Sequence, residues 1–379
     1  FVPQLQDADI IALAPGTGAL LPDPVTGVGT TLFAVARNPL TGDLWVANTD
    51  AGNRTRFEPA LAGRALGNRV TIAAPQGAVK QIIELKAPTT AAEHAQPVAL
   101  AFYDGAAGAS AFVSCLGDST VVQLDAASGA VLDEFSTGPL PMGLAVDSTR
   151  GLLFVHCRGN QTVRAYDILD GNAPASRPRA LACEPEPQGV VAGRTHLYDA
   201  SASSGAGTGN MSCASCHISG HGDFVAWDLG NPAGGMGYFF PDLMQGVLAV
   251  TSPDKLATKK SVITHPMKGP MTTQSLRGLL GAQATPLHWR GDRRFFQSFR
   301  GAFEGLLGGT GLPTGGMQEF ATFVRSLSYG PNPFEPKDRT YLGDEAAGRT
   351  LFGATPGVPG KEYNPLVPGN VTCVDCHTV

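Results

Sequence analysis

The chain has 379 residues, 43% of them apolar, enough for two or three domains with buried cores. Its 27 Lys and Arg against 32 Asp and Glu leave a net charge of -5 with few basic clusters, which argues against a nucleic-acid partner, since phosphate neutralisation needs a basic stripe. No apolar run approaches the roughly 18 residues of a membrane span, no signal peptide is visible, and the 48 Gly and 29 Pro are spread as turn punctuation.

The first half contains a repeat. Ala111-Phe112-Val113-Ser114-Cys115-Leu116-Gly117-Asp118 matches Leu153-Phe154-Val155-His156-Cys157-Arg158-Gly159-Asn160 at an offset of 42, and Leu44-Trp45-Val46-Ala47-Asn48-Thr49-Asp50 is a looser third copy. Each copy is preceded by one strand-like run, such as 98–102 or 143–146, and followed by another, such as 120–124 or 162–166. Short strands recurring at about 40 to 45 residues are the mark of propeller blades. The strings resemble the YVTN-type β-propeller repeats of exported bacterial proteins over residues 30–196, so residues 1–196 are predicted to form β-propeller blades of the YVTN or WD40-like kind. At this period residues 1–200 supply four or five blades, fewer than a closed propeller usually holds. Because 9–13 reads like a late strand of an earlier blade, the domain is expected to begin before Phe1; the alternative is that the missing blades come from a partner chain or from beyond Val379. Cys115 and Cys157 fall at matching places in two repeats, where a thiol acts as a small buried hydrophobe; with Cys183 they form an odd set, permitting at most one internal disulfide among them.

The period changes near residue 197, and a mainly α-helical region is expected beyond it. Cys213-Ala214-Ser215-Cys216-His217 is a C-x-x-C-H string, repeated 160 residues later as Cys373-Val374-Asp375-Cys376-His377. In an exported chain such a string reads as a haem c attachment site: the thiols form thioethers to the porphyrin and the His ligates the iron. A redox C-x-x-C pair or half of a zinc site is the alternative, though two copies each with His in the same place argue for two covalently bound haem c groups. Since this attachment takes place outside the bacterial cytoplasm, a periplasmic or otherwise exported location is expected. Apolar residues at helical spacing, as in Phe296, Phe299, Phe303 and Leu306, predict helix across 279–330. Residues 330–336 read as a linker, and 344–352 as a further helix. The domains are therefore 1–196 (blades), 197–330 (first haem domain), and 331–379 (linker and the start of a second haem domain continuing past the end of the chain). With His217 and His377 as fifth ligands, a sixth ligand for the first iron could come from His221, His265, His288, Met236, Met244, Met267, Met271 or Met317; His221 is poorly placed, only four residues from His217.

Three stretches look like bacterial di-haem cytochrome c peroxidases and their relatives. They are the segment opening with Leu197-Tyr198-Asp199 and leading into Ser212 and the first motif, the run His265-Pro266-Met267-Lys268-Gly269-Pro270-Met271 followed by His288-Trp289-Arg290-Gly291-Asp292-Arg293, and Glu345-Ala346-Ala347-Gly348-Arg349. The resemblance covers residues 197–379. It implies that His265 is the distal ligand of the first haem, with Met267 and Met271 as alternatives, and that Trp289 lies between the haems as an electron relay. Gln274 and Arg277 could contact propionates, since Arg pairs bidentately with carboxylates; a calcium ion is implied by the resemblance alone. Two departures stand out. Phe299 and Gly309 occupy the positions of the family's Gln and Glu, leaving Gln297, Glu304 or Glu319 as weak catalytic substitutes, and the chain ends two residues after His377, before the family's distal Met of the second haem. The leading expectation is an exported di-haem electron-transfer protein whose propeller docks a partner or frames the haem region, the partner being a small cytochrome or a respiratory complex. The alternatives are a peroxidase-like oxidoreductase and a structural or binding subunit of a larger cytochrome assembly.

Overall fold

The computed structural model describes residues 8–52, 65–75, 77–87, 93–105, 108–181, 183–201, 210–230, 235, 237–239, 262–267, 269–278, 287–289, 293, 295–331, 333, 334, 336, 338, 340 and 343–352. Three antiparallel sheets fill positions 31–180. The first is β1 (Thr31–Arg37), β2 (Leu44–Ala51), β3 (Leu66–Ala73) and β4 (Val79–Glu84), in that order. The second repeats it with β5 (Pro97–Tyr103), β6 (Ser110–Cys115), β7 (Thr120–Asp125) and β8 (Val131–Ser136). In the third, β9 (Pro141–Asp147), β10 (Leu152–Cys157) and β11 (Thr162–Asp167) end in a broken edge: β12 (Ala173–Pro174) and β13 (Arg179–Ala180) pair separately with β11. Each sheet is a meander of neighbouring strands, as in a propeller blade.

Alternation along β6 explains how the sheets stack. Successive side chains of a strand point to opposite faces. Ala111, Val113 and Cys115 accordingly join Trp45, Val70 and Ile72 of the first sheet, whereas Phe112 joins Leu153, Val155 and Tyr166 of the third. Both faces of β6 are covered, and all six of its residues are buried. The tight β6–β7 and β10–β11 turns place Ser119 and Gln161, again 42 apart, at φ 60° and 51°.

Four or five blades were expected in residues 1–200; the described residues of that stretch form three blade-like sheets. Residues 9–13 do not form the expected strand. Ile10 and Leu13 make only isolated bridges, to Val25 and Leu20, in a stretch where Pro15, Pro22 and Pro24 offer no N–H for a ladder. At the other end, α1 (Gln188–Tyr198) occupies positions assigned to blades and runs across position 196.

Beyond α1 the described residues mix helices with short ladders, rather than forming the mainly helical region expected. β14 (Ala226–Asp228) pairs with β17 (Pro270–Thr272), and β15 (Gly237–Phe239) with β16 (Val262–Thr264). In the stretch expected to be helical, 279–286 lie outside the described residues and Leu287 bridges Arg293. A 3-10 turn at Phe296–Phe299 leads into α2 (Arg300–Gly305), and α3 (Thr314–Ser326) follows a break containing Gly308 and Gly311, at φ 74° and 76°, and Pro313. The predicted helix at 344–352 is present as α4 (Asp344–Phe352).

α1 and α3 cross at Gly193, where a Cβ would overlap the Glu319 carbonyl oxygen and come within 2.8 Å of Phe323 Cβ. The close crossing helps build an apolar cluster that includes Leu197, Met317, Phe320, Phe323, Phe303 and Trp227. No helix among the described residues is long and apolar enough to cross a membrane.

Candidate functional site

The first C-x-x-C-H string forms a single turn. Ser212 N–H donates to Ser215 Oγ at 3.0 Å, Ser215 N–H to Ser212 O at 3.0 Å, and His217 N–H to Cys213 O at 2.8 Å. Cys213–Ser215 is a 3-10 helix, in which residues three apart eclipse, so Cys213 and Cys216 present their thiols to one side with His217 directly after them. Both cysteines pack against the apolar cluster formed with α1 and α3.

Buried polar groups anchor this turn to the first two sheets. Asn68 Nδ2 donates to Asn210 O at 3.0 Å, while Asn68 Oδ1 accepts the Gln96 N–H at 2.9 Å. Asn210 Nδ2 in turn donates to the Glu93 carboxylate, and Ala200 N–H to Gly117 O at 2.7 Å. Asn68, Gln96, Asn210, Ser212 and Ser215 are all buried, where an unpaired polar group is costly, so these bonds fix where the turn sits.

Burial pushes the Cys213 thiol up to about 12, and burial together with the Asp223 carboxylate raises Cys216 well above the ordinary thiol range. Dithiol catalysts work with a lowered thiol pKa, so this pair is poorly set for disulfide exchange. Burial lowers His217, against the opposing influence of the His221 and Gln274 backbone. His217 Nδ1–H donates to His221 O at 3.4 Å, and in that tautomer Nε2 carries the lone pair a metal requires. Cys213, Cys216 and His217 do not converge as a zinc set would; the group of three or more His, Cys, Asp or Glu ligand atoms that does converge among the described residues is His94, Cys115 and Asp118. Two thiols on one side, a following imidazole and an apolar aromatic wall fit a covalently held haem.

The strand around β17 comes close to this turn. Thr273 N–H donates to Val225 O at 3.3 Å and Leu276 N–H to Gly220 O at 3.0 Å, while Arg277 Nη2 donates to Ser219 O at 3.1 Å. Met271 is half-buried and stands opposite the buried Trp227, whose Nε1 donates to Asp223 Oδ2 at 2.9 Å. His265 is exposed and its Nδ1 accepts the Met267 N–H at 3.0 Å. Trp289 is 51% exposed, with Nε1 donating to Thr272 O at 2.6 Å. His288 is half-buried edge-on to Phe299, with centroids 5.9 Å apart. Gln297 and Glu304 are exposed, and Glu319 pairs with His196 Nε2 at 3.0 Å. Cys373, Cys376 and His377 lie outside the described residues, as do Met236 and Met244. Sequence reasoning missed Asn68, Gln96, Asn210 and Asp223; the first three act through contacts between distant segments, for which a single sequence carries no local signal.

No protein-family model matches the chain, and no curated protein matches it. Solved structures similar to parts of it include hydrazine synthase of Kuenenia stuttgartiensis, at 15% identity over 36% of this chain and 45% of that one, with a TM-score of 0.31. BamB of Moraxella catarrhalis is similar at 16% identity over 40% of this chain and 37% of that one, with a TM-score of 0.26. Virginiamycin B lyase of Staphylococcus aureus is similar at 14% identity over 46% and 49%, with a TM-score of 0.28. The chain spans less than half the length of each of these structures, and likeness at this level carries no argument about its activity.

Proposed function

We propose that the chain is an exported c-type cytochrome that transfers electrons. In this reading Cys213 and Cys216 would hold one haem covalently and His217 would ligate its iron, while Cys373, Cys376 and His377 would do the same for a second. The observation that carries the reading is the turn at 213–217, which sets both thiols on one side against an apolar wall without gathering them and His217 into a closed metal set. When bound, haem c supplies an iron that accepts and releases one electron.

The surrounding residues have distinct tasks. The His221 carbonyl orients the His217 ring, and the apolar cluster around Phe303 and Phe320, against which Cys213 and Cys216 pack, would exclude water from a haem held there. Arg277, tied to Ser219 O, would pair with a propionate. His265, or Met267 or Met271, would supply the iron's second protein ligand, and a Met there would give a higher potential than a second His. The YVTN-like blades hold the turn through Asn68 and Gln96 and offer a surface for a redox partner such as a small cytochrome or a respiratory complex. Reduction of peroxide would require an acid/base group beside the iron. Gln297 and Glu304 are exposed and Glu319 is paired with His196, so electron transfer is the better-supported reading.

Mixing the exported holoprotein with a reduced small cytochrome in a stopped-flow instrument is expected to reduce both haems, with peroxide consumption no faster than a free-haem control. Peroxide turnover well above that control would favour the peroxidase-like reading. Failure to exchange electrons with any small cytochrome or chemical donor would sink electron transfer.

A further inference from the structure

We propose that His94, Cys115 and Asp118 form a zinc-type metal site at one corner of the second blade, with Glu134 orienting His94 from behind. His94 lies just before β5, Cys115 ends β6, Asp118 sits in the β6–β7 turn and Glu134 is on β8. The ligand atoms of the first three all lie within 4.8 Å of one another. His94 Nδ1 is 2.7 Å from Asp118 Oδ2, and the Thr120 hydroxyl is 3.1 Å from that nitrogen and 2.9 Å from Asp118 Oδ1. On the other side of the ring, His94 Nε2 is 3.0 Å from Glu134 Oε2. A carboxylate behind a ligating imidazole is the usual outer partner of a zinc-bound His, since it fixes the tautomer that leaves the other nitrogen free for the metal. Zinc holds N, S and O donors at about 2.0 to 2.3 Å in a tetrahedron, so small side-chain rotations suffice, and the fourth position is left to water or Thr120.

The donor set favours a metal over a simple ion pair. His94 is 5% exposed and Cys115 fully buried. Both ring nitrogens of His94 face carboxylates, Nδ1 that of Asp118 and Nε2 that of Glu134, so the pocket suits positive charge. A divalent ion would use the imidazole, the thiolate and the Asp118 carboxylate together, and its charge would balance the two anionic ligands.

The next blade provides an internal comparison. Cys157, which pairs with Pro141 as Cys115 pairs with Pro97, is again fully buried, but Asn160 stands in place of Asp118 and Gly138, three residues before β9 as His94 is before β5, stands in place of His94. A cysteine that only packs needs none of the second blade's charged neighbours. The site is also close to the haem-attachment turn: Glu93, adjacent to His94, accepts from Asn210, and Gly117, adjacent to Asp118, accepts from Ala200. A metal there would rigidify the corner on which the turn rests.

The test is zinc binding by the full chain after chelator treatment, measured as retained zinc and by zinc K-edge absorption. It is run on the haem-loaded protein and on Cys213→Ala/Cys216→Ala, so that the first motif's thiols cannot be the source. The expected result is one zinc per chain, with one sulfur neighbour at about 2.3 Å and N/O neighbours at about 2.0 Å. Binding should weaken at least 100-fold in His94→Gln and Cys115→Ser and be unchanged in Cys157→Ala. If the first two variants do not fold, the wild-type absorption spectrum and a zinc-dependent rise in its melting temperature decide the matter. Wild-type protein that takes up no zinc, zinc with no sulfur neighbour, or uptake that persists in His94→Gln would overturn the proposal.

Discussion

Replacing Gly193 by alanine is expected to destabilise the region around the first C-x-x-C-H turn by about 1–3 kcal/mol, the range found when a packed interior is forced to take an extra methyl group. The added Cβ would overlap the Glu319 carbonyl oxygen and approach Glu319 C to 2.6 Å and Phe323 Cβ to 2.8 Å. Two of these neighbours are backbone atoms of α3 and cannot swing away as a side chain could, so the helices must separate. Gly189→Ala is the matching control one turn earlier, where the new Cβ would meet only Thr322 Cγ2, at an ordinary 3.5 Å. It should be neutral or stabilise by up to about 1 kcal/mol, because alanine is the better helix former. Denaturant or thermal unfolding of the pair distinguishes a specific crossing from a general intolerance of alanine in α1; equal effects would count against the crossing.

On the proposed reading, replacing His217 by alanine would leave a haem attached through Cys213 and Cys216 and remove the imidazole that ligates its iron. The first haem is then expected to lose its low-spin absorption spectrum, and the bond from Nδ1 to the His221 carbonyl goes with it. The second haem should be unaffected. The comparison is the absorption spectrum of the exported variant against wild type in both oxidation states, and an unchanged spectrum would mean that His217 is not a ligand.

The blades were legible because their physics is local. Apolar alternation in β6 and β10 and the recurring turns at Ser119 and Gln161 repeat at one offset, and that offset is visible in the sequence itself. The broken edge of the third sheet was less so, since β12 and β13 are two residues each and carry almost no pattern. α1 escaped notice because its interface with α3 is made by a residue with no side chain: Gly193 gives no apolar signal, and its importance appears only when the Glu319 backbone lies against it. Conversely, the apolar spacing predicted helix across 279–330, but Gly308, Gly311 and Pro313 separate α2 from α3. The C-x-x-C-H string itself was plain to read. What holds it was not, because Asn68 reaches Asn210 across 142 residues and Gln96 reaches Asn68 across 28. Positions in the 265–289 segment were inferred from a resemblance. There, Arg277 meets the turn carrying His217, whereas His265 and Trp289 are exposed.

The central claim is that both C-x-x-C-H strings carry covalent haem. It is tested most directly by the intact mass of the exported chain, together with the spectrum of its haem after treatment with alkaline pyridine. The account predicts the mass of the polypeptide plus two haems, retained under denaturing conditions, and the spectrum of haem held by two thioethers. A chain that passes through a host fully able to attach haem c and emerges with neither motif modified would contradict it.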